Sequence, residues 1–138
     1  ANSSRVLCAA PAYLKKHGSP QTLADLGRHQ CLLFRDRSEP FGVWKLQGPR
    51  GWEEVRVTGD LASNDNEVVL SWAHDGHGIM IAADWFVKKS LVQGHLERVL
   101  PTWKQPVDVW AISTLRTNQS AKVRLLIEYL KAEMNTIA

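Results

Sequence analysis

The polar run Ser63–Glu67 stands immediately before a segment with the apolar spacing of a short helix. The free backbone N–H groups and the dipole at the start of a helix favour an anion such as a carboxylate. The same residue types are also the usual N-caps, which satisfy those N–H groups internally. Asp65 and Glu67 would repel an anion, so plain capping is the simpler interpretation of this cluster on residues alone.

A second candidate for anion binding is Arg35, which follows Phe34 at the end of a predicted strand and opens the charged loop Arg35–Gly42. An arginine at the mouth of a cleft can hold a carboxylate through two parallel hydrogen bonds. A solvated loop whose charges offset one another explains the same residues at least as well, and both interpretations stay open.

The histidines and glycines give little support for a metal or a cofactor. His74 and His77 lie three residues apart, but the neighbouring sequence does not clearly supply further ligands, and we expect no metal. The pair Gly76 and Gly78 follows a predicted helix, whereas the glycines of a dinucleotide loop precede one. We therefore expect no nucleotide cofactor.

Covalent catalysis is also disfavoured. Cys8 lies in an apolar segment, where burial raises the pKa of a thiol and makes it a poor nucleophile. The chain contains no G-x-S-x-G elbow. We expect no enzyme, with a small thiol or serine hydrolase that uses Cys8 and a histidine as the remaining alternative.

Strands and short helices alternate along the chain, which indicates the α/β class. The predicted strands are Arg5–Ala10, Gln30–Phe34, Val43–Leu46, Glu54–Thr58, Gly78–Ala83, Leu96–Leu100 and Val107–Ser113. The predicted helices are Ala12–His17, Leu23–Arg28, Asn66–His74, Asp84–Val92 and a last one that starts after Ser120. The last helix has the spacing of a core-facing stripe in Val123, Leu126, Ile127, Leu130 and Met134.

The composition, 44% apolar and 22% charged over 138 residues, is that of one globular domain. The net charge of +3 comes from scattered lysines and arginines, which disfavours direct DNA binding. No apolar run approaches the roughly 20 residues of a membrane span, and no signal peptide is recognised. Both cysteines lie in apolar runs, which suits a reducing compartment, and we expect a soluble, cytoplasmic protein that does not contact membranes.

Several blocks of the chain occur in an order and spacing that together are specific. They are R-V-L-C-A-A-P-A-Y-L-K-K-H-G-S-P, T-L-A-D-L-G-R-H-Q-C-L-L-F, W-K-L-Q-G, the Ser63–Glu67 segment, G-H-G-I with Trp85 beyond it, and L-V-Q-G-H-L-E-R-V-L-P-T-W. With these blocks the chain resembles the effector-binding domain of LysR-type transcriptional regulators over nearly all of its length.

The resemblance implies two α/β lobes of the periplasmic-binding-protein type, with a small-molecule inducer in the cleft between them. Residues 1–9 would be a crossover strand of the first lobe and residues 10–105 the second lobe, nearly whole. Residues 106–138 would be the returning crossover strand and the C-terminal helix of the first lobe. The ligand-binding residues implied at the two rims of the cleft are Phe34, Arg35 and Phe41 at one, and Asn64, Asp65, Asn66 and Ile79 at the other.

The resemblance also implies partners. An organic or aromatic acid would shift the geometry of a DNA-bound homo-oligomer, a dimer or tetramer, through a change in populations. DNA contact would come only from a winged helix-turn-helix that this sequence does not contain. Because the last helix would lack most of the sheet it covers, we expect the chain to self-associate. A ligand-free interaction module is the alternative function.

Overall fold

The computed structural model describes residues 2–35, 40–114 and 120–137. The strands in these residues are β1 (Asn2–Ala9), β2 (Leu33–Phe34), β3 (Val43–Gly48), β4 (Gly51–Arg56), β5 (Ala62–Ser63), β6 (Met80–Ala83) and β7 (Glu97–Asp108). The helices are α1 (Pro11–His17), α2 (Asn66–His74), α3 (Asp84–Val92) and α4 (Ala121–Ile137), with a 3₁₀ helix at Leu23–Arg28. None of these helices combines the length and apolarity needed to cross a membrane.

The larger sheet has the strand order β4-β3-β7-β1-β6, and β1 runs antiparallel to both of its neighbours. The run Val6–Ala9 is buried throughout because β1 is covered on both faces. Leu7 and Ala9 pack into one core cluster with Leu26, Leu46, Ile79 and Val99. Val6 and Cys8 pack into a second cluster with Leu32, Val69, Met80 and Val87.

Two short strands, β2 and β5, lie outside this sheet and run parallel to its edge strand β6. β2 pairs in parallel with β5, and an isolated parallel bridge joins Cys31 to Ile79, just before β2 and β6. Gly59 and Gly78 allow this close approach, since a Cβ atom on Gly59 would lie 1.9 Å from the carbonyl oxygen of Cys31. β2, β5 and β6 therefore end at the same edge, where α2 and α3 begin.

The strand β7 differs from the prediction of two strands at Leu96–Leu100 and Val107–Ser113. One strand runs through Pro101, and residues 109–113 lie outside any strand. The pairing with β1 shifts between Val6, opposite Lys104, and Leu7, opposite Val99. The residues between form a bulge in which Leu100 has φ 48°, and a proline is tolerated there because no ladder hydrogen bond is required of it.

The predicted last helix is confirmed, and the exposure of its stripe agrees with the expectation that most of the sheet it would cover is missing. Ser120 Oγ accepts a hydrogen bond from the Val123 backbone N–H at 3.4 Å, as a cap does. Leu126 and Leu130 are 57% and 43% exposed, so the apolar stripe of α4 is not covered by the described residues.

Candidate functional site

A cavity of about 370 Å³ opens at the edge where β2 and β6 end. Phe34 is the last residue of β2, Asn66 is the first residue of α2, and Ala83 is the last residue of β6. The residues that line the cavity are Arg5, Phe34, Asn66, Ile81, Ala82, Ala83, Trp85, Phe86, Val107, Asp108 and Val109.

The topology explains why these residues meet. In open α/β sheets, ligands bind outside the carboxyl ends of parallel strands, where the following helices start. β1 runs antiparallel to β6 and places Arg5 opposite Ala83, while the end of β7 supplies Val107 and Asp108. The cavity therefore lies where the parallel segments meet the two long strands of the main sheet.

The cavity combines apolar walls with a few polar groups. Phe34, Trp85 and Phe86 provide aromatic surface, and the rings of Trp85 and Phe86 make an edge contact with centroids 6.0 Å apart. Arg5 Nη1 donates a hydrogen bond to Gln105 Oε1 at 3.2 Å, which orients the guanidinium. An apolar pocket with a small number of placed polar groups is the usual form of a small-molecule site.

The residues predicted from the sequence fall into two neighbouring places. Phe34 and Asn66 line the cavity, whereas Arg35 and Asn64 line a second crevice of about 300 Å³. The Arg35 guanidinium carbon lies 4.4 Å above the centroid of the Phe41 ring, a cation–π contact. Residues 36–39 of the predicted charged loop lie outside the described residues.

Asp65 acts as the N-cap of α2. Its Oδ1 accepts a hydrogen bond from the Glu67 backbone N–H at 2.9 Å, and its own N–H donates to Ser63 Oγ at 3.1 Å. The capping interpretation of this polar run is therefore confirmed for Asp65 and Ser63. The carboxylate of Asp65 fixes the start of the helix that carries Asn66.

Ile79 is misplaced in the predicted set of ligand-binding residues. Its side chain is fully buried in the core cluster of Leu7 and Leu46. It also precedes β6, so it lies at the opposite end of that segment from the cavity. A buried side chain at that end offers no surface to a ligand in this structure.

Sequence reasoning missed Arg5, Trp85, Phe86 and Asp108. Arg5 and Asp108 reach the cavity through the antiparallel registers of β1 and β7, which no local pattern shows. For Trp85 the sequence offered only its position two residues after the end of β6, and its 42% exposure is seen only in the structure.

The groups that could support covalent chemistry are poorly placed for it. Burial raises the pKa of Cys8 and of Cys31 to about 12, so neither is a thiolate at neutral pH. His74 Nε2 and Ser90 Oγ lie 2.8 Å apart, but Ser90 is buried within α3. Among residues 2–35, 40–114 and 120–137, no three His, Cys, Asp or Glu side chains are arranged to hold a metal ion.

Comparison with known sequences gives a consistent result. Residues 1–135 match the family described as the LysR substrate binding domain. The transcriptional regulator DmlR of Escherichia coli K12 is 43% identical over 131 residues, which cover 95% of this chain and 43% of DmlR. The transcriptional activator TtdR of Escherichia coli O6:K15:H31 is 42% identical over 130 residues, which cover 94% of this chain and 42% of TtdR. The chain thus spans less than half the length of these relatives.

Comparison with solved structures agrees. The regulatory domain of AphB in Vibrio vulnificus superposes with a TM-score of 0.77 at 29% identity, covering 96% of this chain and 65% of that domain. LysR regulatory domains have the two-lobed periplasmic-binding-protein-like fold, which confirms the predicted fold class. The relatives are transcription regulators and not enzymes. On the match of residues 1–135 and these similarities, the chain belongs to the LysR substrate-binding domain family, the regulatory domains of LysR-type transcriptional regulators.

Proposed function

We propose that this regulatory domain senses a small organic or aromatic acid, which binds in the cavity at the ends of β2 and β6. The observation that carries the proposal is the meeting of Arg5, Asn66 and three aromatic side chains in one open cavity. The Asp65 cap already occupies the Glu67 N–H at the start of α2, so Arg5 and Asn66, rather than the helix start, would hold the negative group.

The chemistry of the lining favours an acid with an apolar body. The Arg5 guanidinium can pair with a carboxylate, and the Asn66 amide can donate a further hydrogen bond. Phe34, Trp85 and Phe86 supply the aromatic surface on which a flat or apolar group would pack. Asp108 at the rim would repel a second carboxylate placed close to it.

The other predicted residues extend the same site. Arg35 and Asn64, which line the second crevice, would contact the part of a ligand that reaches into it, and the Phe41 ring beneath the Arg35 guanidinium would hold Arg35 in place. Asp65 would act as a positioning residue, because its cap fixes the first turn of α2 and with it Asn66.

In the whole regulator, residues 1–9 and 106–138 would belong to one lobe and residues 10–105 to the other. The cavity lined by β1, β7 and the starts of α2 and α3 would then lie between the lobes. A ligand that binds one lobe arrangement more tightly would shift the populations and so the geometry of a homo-oligomer on DNA. DNA contact would come from a winged helix-turn-helix in another part of that cytoplasmic protein.

The proposal is tested by thermal unfolding in the presence of a panel of small organic and aromatic acids. A ligand at 100 times its dissociation constant stabilises the folded state by about 2.7 kcal/mol, which raises the melting temperature. We expect Phe34→Ala and Asn66→Ala to lose most of this rise. The control Gln93→Ala, at an exposed amide after α3, should keep it. An acid that stabilises all four proteins equally would contradict the proposed site.

A second function has one observation in its favour. Leu126 and Leu130 of the apolar stripe of α4 are exposed, and so are Leu125 and Tyr129 beside them. Such a surface is typical of a protein–protein contact. A role in interaction can coexist with sensing, and it becomes the main function if no acid binds the cavity.

A further inference from the structure

The Tyr13 hydroxyl of α1 lies in a small hydrogen-bonded cluster away from the cavity. Tyr13 is only 3% exposed. Its Oη accepts a hydrogen bond from the Gln30 backbone N–H at 3.1 Å and lies 3.0 Å from His29 Nδ1. The His17 ring stacks on the Tyr13 ring, with centroids 4.5 Å apart and planes 26° from parallel.

These contacts favour one protonation state of His29. A backbone N–H can only donate, so Gln30 occupies one acceptor position of the Tyr13 oxygen. The described residues leave His29 Nδ1 as the acceptor for the Tyr13 proton. With Nδ1 as the acceptor, the imidazole is neutral and carries its own proton on Nε2. A proton added at Nδ1 would leave the nearly buried Tyr13 O–H without its acceptor, which is costly in a buried place.

Most of the surroundings of His29 lower the pKa of its imidazole. Burial lowers the pKa of His29, and the electrostatic effects of His17 on α1 and Arg28 on the 3₁₀ helix lower it further. Asp25 opposes this effect, but its carboxylate is already engaged with Arg28 and with the backbone N–H groups of Gln21 and Thr22. A crevice of about 340 Å³, lined by these charged groups, gives solvent access to the imidazole.

The cluster connects α1 with the segment that leads to the cavity. The Gln30 carbonyl accepts a hydrogen bond from the Ile79 N–H at 2.9 Å, and the Gln30 side chain accepts one from the Asp60 N–H at 3.2 Å. β2 starts three residues later at Leu33 and ends at Phe34 on the cavity wall. Gln30 thus ties the start of this segment to Tyr13, Ile79 and Asp60 through three hydrogen bonds.

We propose that Tyr13 and His29 form an acid-sensitive latch, in which protonation of His29 breaks their hydrogen bond and loosens α1 from the segment that leads into β2. The latch is separate from the effector site and does not depend on what binds there. The folded state favours neutral His29, whereas His29 in the unfolded chain has the ordinary histidine pKa of about 6.5. Below that pH the unfolded state therefore binds more protons than the folded state. The folding constant should then fall as the pH drops below that value, by at most about tenfold per pH unit for one proton.

The test is urea unfolding of the 138-residue chain between pH 7.5 and 5. The variant His29→Asn places an amide oxygen near the position of Nδ1, so it can accept the Tyr13 proton but cannot titrate. The control His77→Asn alters an exposed histidine in the turn after α2. We expect the folding constants of the unaltered chain and of the control to fall by the same factor between pH 7.5 and 5. The folding constant of His29→Asn should fall by a clearly smaller factor. Equal losses in all three proteins would overturn the latch.

A direct titration keeps the proposal testable if His29→Asn does not fold. Histidine side-chain NMR on the unaltered chain reports both the tautomer and the pKa of each ring. We expect His29 to be the Nε2–H tautomer at pH 7.5 and to titrate below 6.5. A proton on Nδ1 at pH 7.5, or a pKa at or above 6.5, would overturn it.

Discussion

Trp85 and Trp52 are partly exposed tryptophans with different surroundings. Trp85 is 42% exposed and lines the cavity, whereas Trp52 is 50% exposed on β4, with Lys45 Nζ 5.8 Å from its ring centroid. Aromatic contacts typically contribute about 1 kcal/mol, close to fivefold in a dissociation constant. We predict that Trp85→Ala weakens the binding of an acid ligand by about that factor and that Trp52→Ala leaves it unchanged.

Isothermal titration calorimetry with the best ligand of the panel measures both variants. Trp52→Ala serves as the matched control for the loss of a half-exposed indole. Equal affinities for the two variants would place the ligand away from Trp85.

Cys8 has an environment that should make it inert. With a pKa of about 12, the fraction of thiolate at pH 7 is about one in 10⁵. We predict that iodoacetamide modifies neither Cys8 nor Cys31 in the folded chain within an hour at pH 7.5, and that both react after denaturation. Mass spectrometry measures how many cysteines are modified and which ones. Rapid stoichiometric modification of folded Cys8 would restore the thiol-hydrolase alternative.

Among the elements of the fold, the parallel segments β2, β5 and β6 depend on Gly59 and Gly78, which allow the main chains to approach closely. An alanine Cβ at position 59 would lie 1.9 Å from the Cys31 carbonyl oxygen, and one at position 78 would lie 2.5 Å from that of Gln30. Since backbone atoms cannot move aside cheaply, we predict that Gly59→Ala and Gly78→Ala each destabilise the fold by about 2 kcal/mol or more.

Gly27 provides the matched control, because a Cβ atom there meets nothing within 4 Å. Gly27→Ala should be neutral or slightly stabilising, since alanine restricts the unfolded chain. The free energy of unfolding in urea compares the three variants. A Gly59→Ala variant as stable as Gly27→Ala would mean that the segments leading into β2 and β5 do not approach as closely as described.

The sequence predicts best the elements whose limits are set locally. The predicted bounds of α2 and α3, Asn66–His74 and Asp84–Val92, are confirmed because caps and glycine stops act within a few residues. β7 was predicted as two strands because its bulge is set by pairing with β1, far away in the chain. The same distinction applies to the cavity, where Phe34 and Asn66 follow local strand ends but Arg5 depends on antiparallel register.

At the scale of the whole molecule, the exposed stripe of α4 predicts association. Leu126 and Leu130 lie four residues apart on one face, and large exposed apolar patches are rare on monomers. We predict that the isolated 138-residue chain forms dimers or larger species at high concentration.

Sedimentation velocity over a range of concentrations tests this. Leu126→Glu with Leu130→Glu should shift the chain towards monomer, whereas Lys122→Glu, at an exposed polar position of the same helix, should not. A strictly monomeric unaltered chain at high concentration would show that α4 does not mediate association.

The most direct test of effector binding in the cavity is an amide and indole NMR titration of the chain with the panel of small organic and aromatic acids. We predict that at least one acid shifts the resonances of Phe34, Asn66 and the Trp85 indole N–H together, with smaller changes at Arg35 and Asn64. A folded chain whose cavity resonances no acid moves, or an acid whose shifts cluster away from this edge of the sheet, would contradict the assignment of the cavity as the effector site.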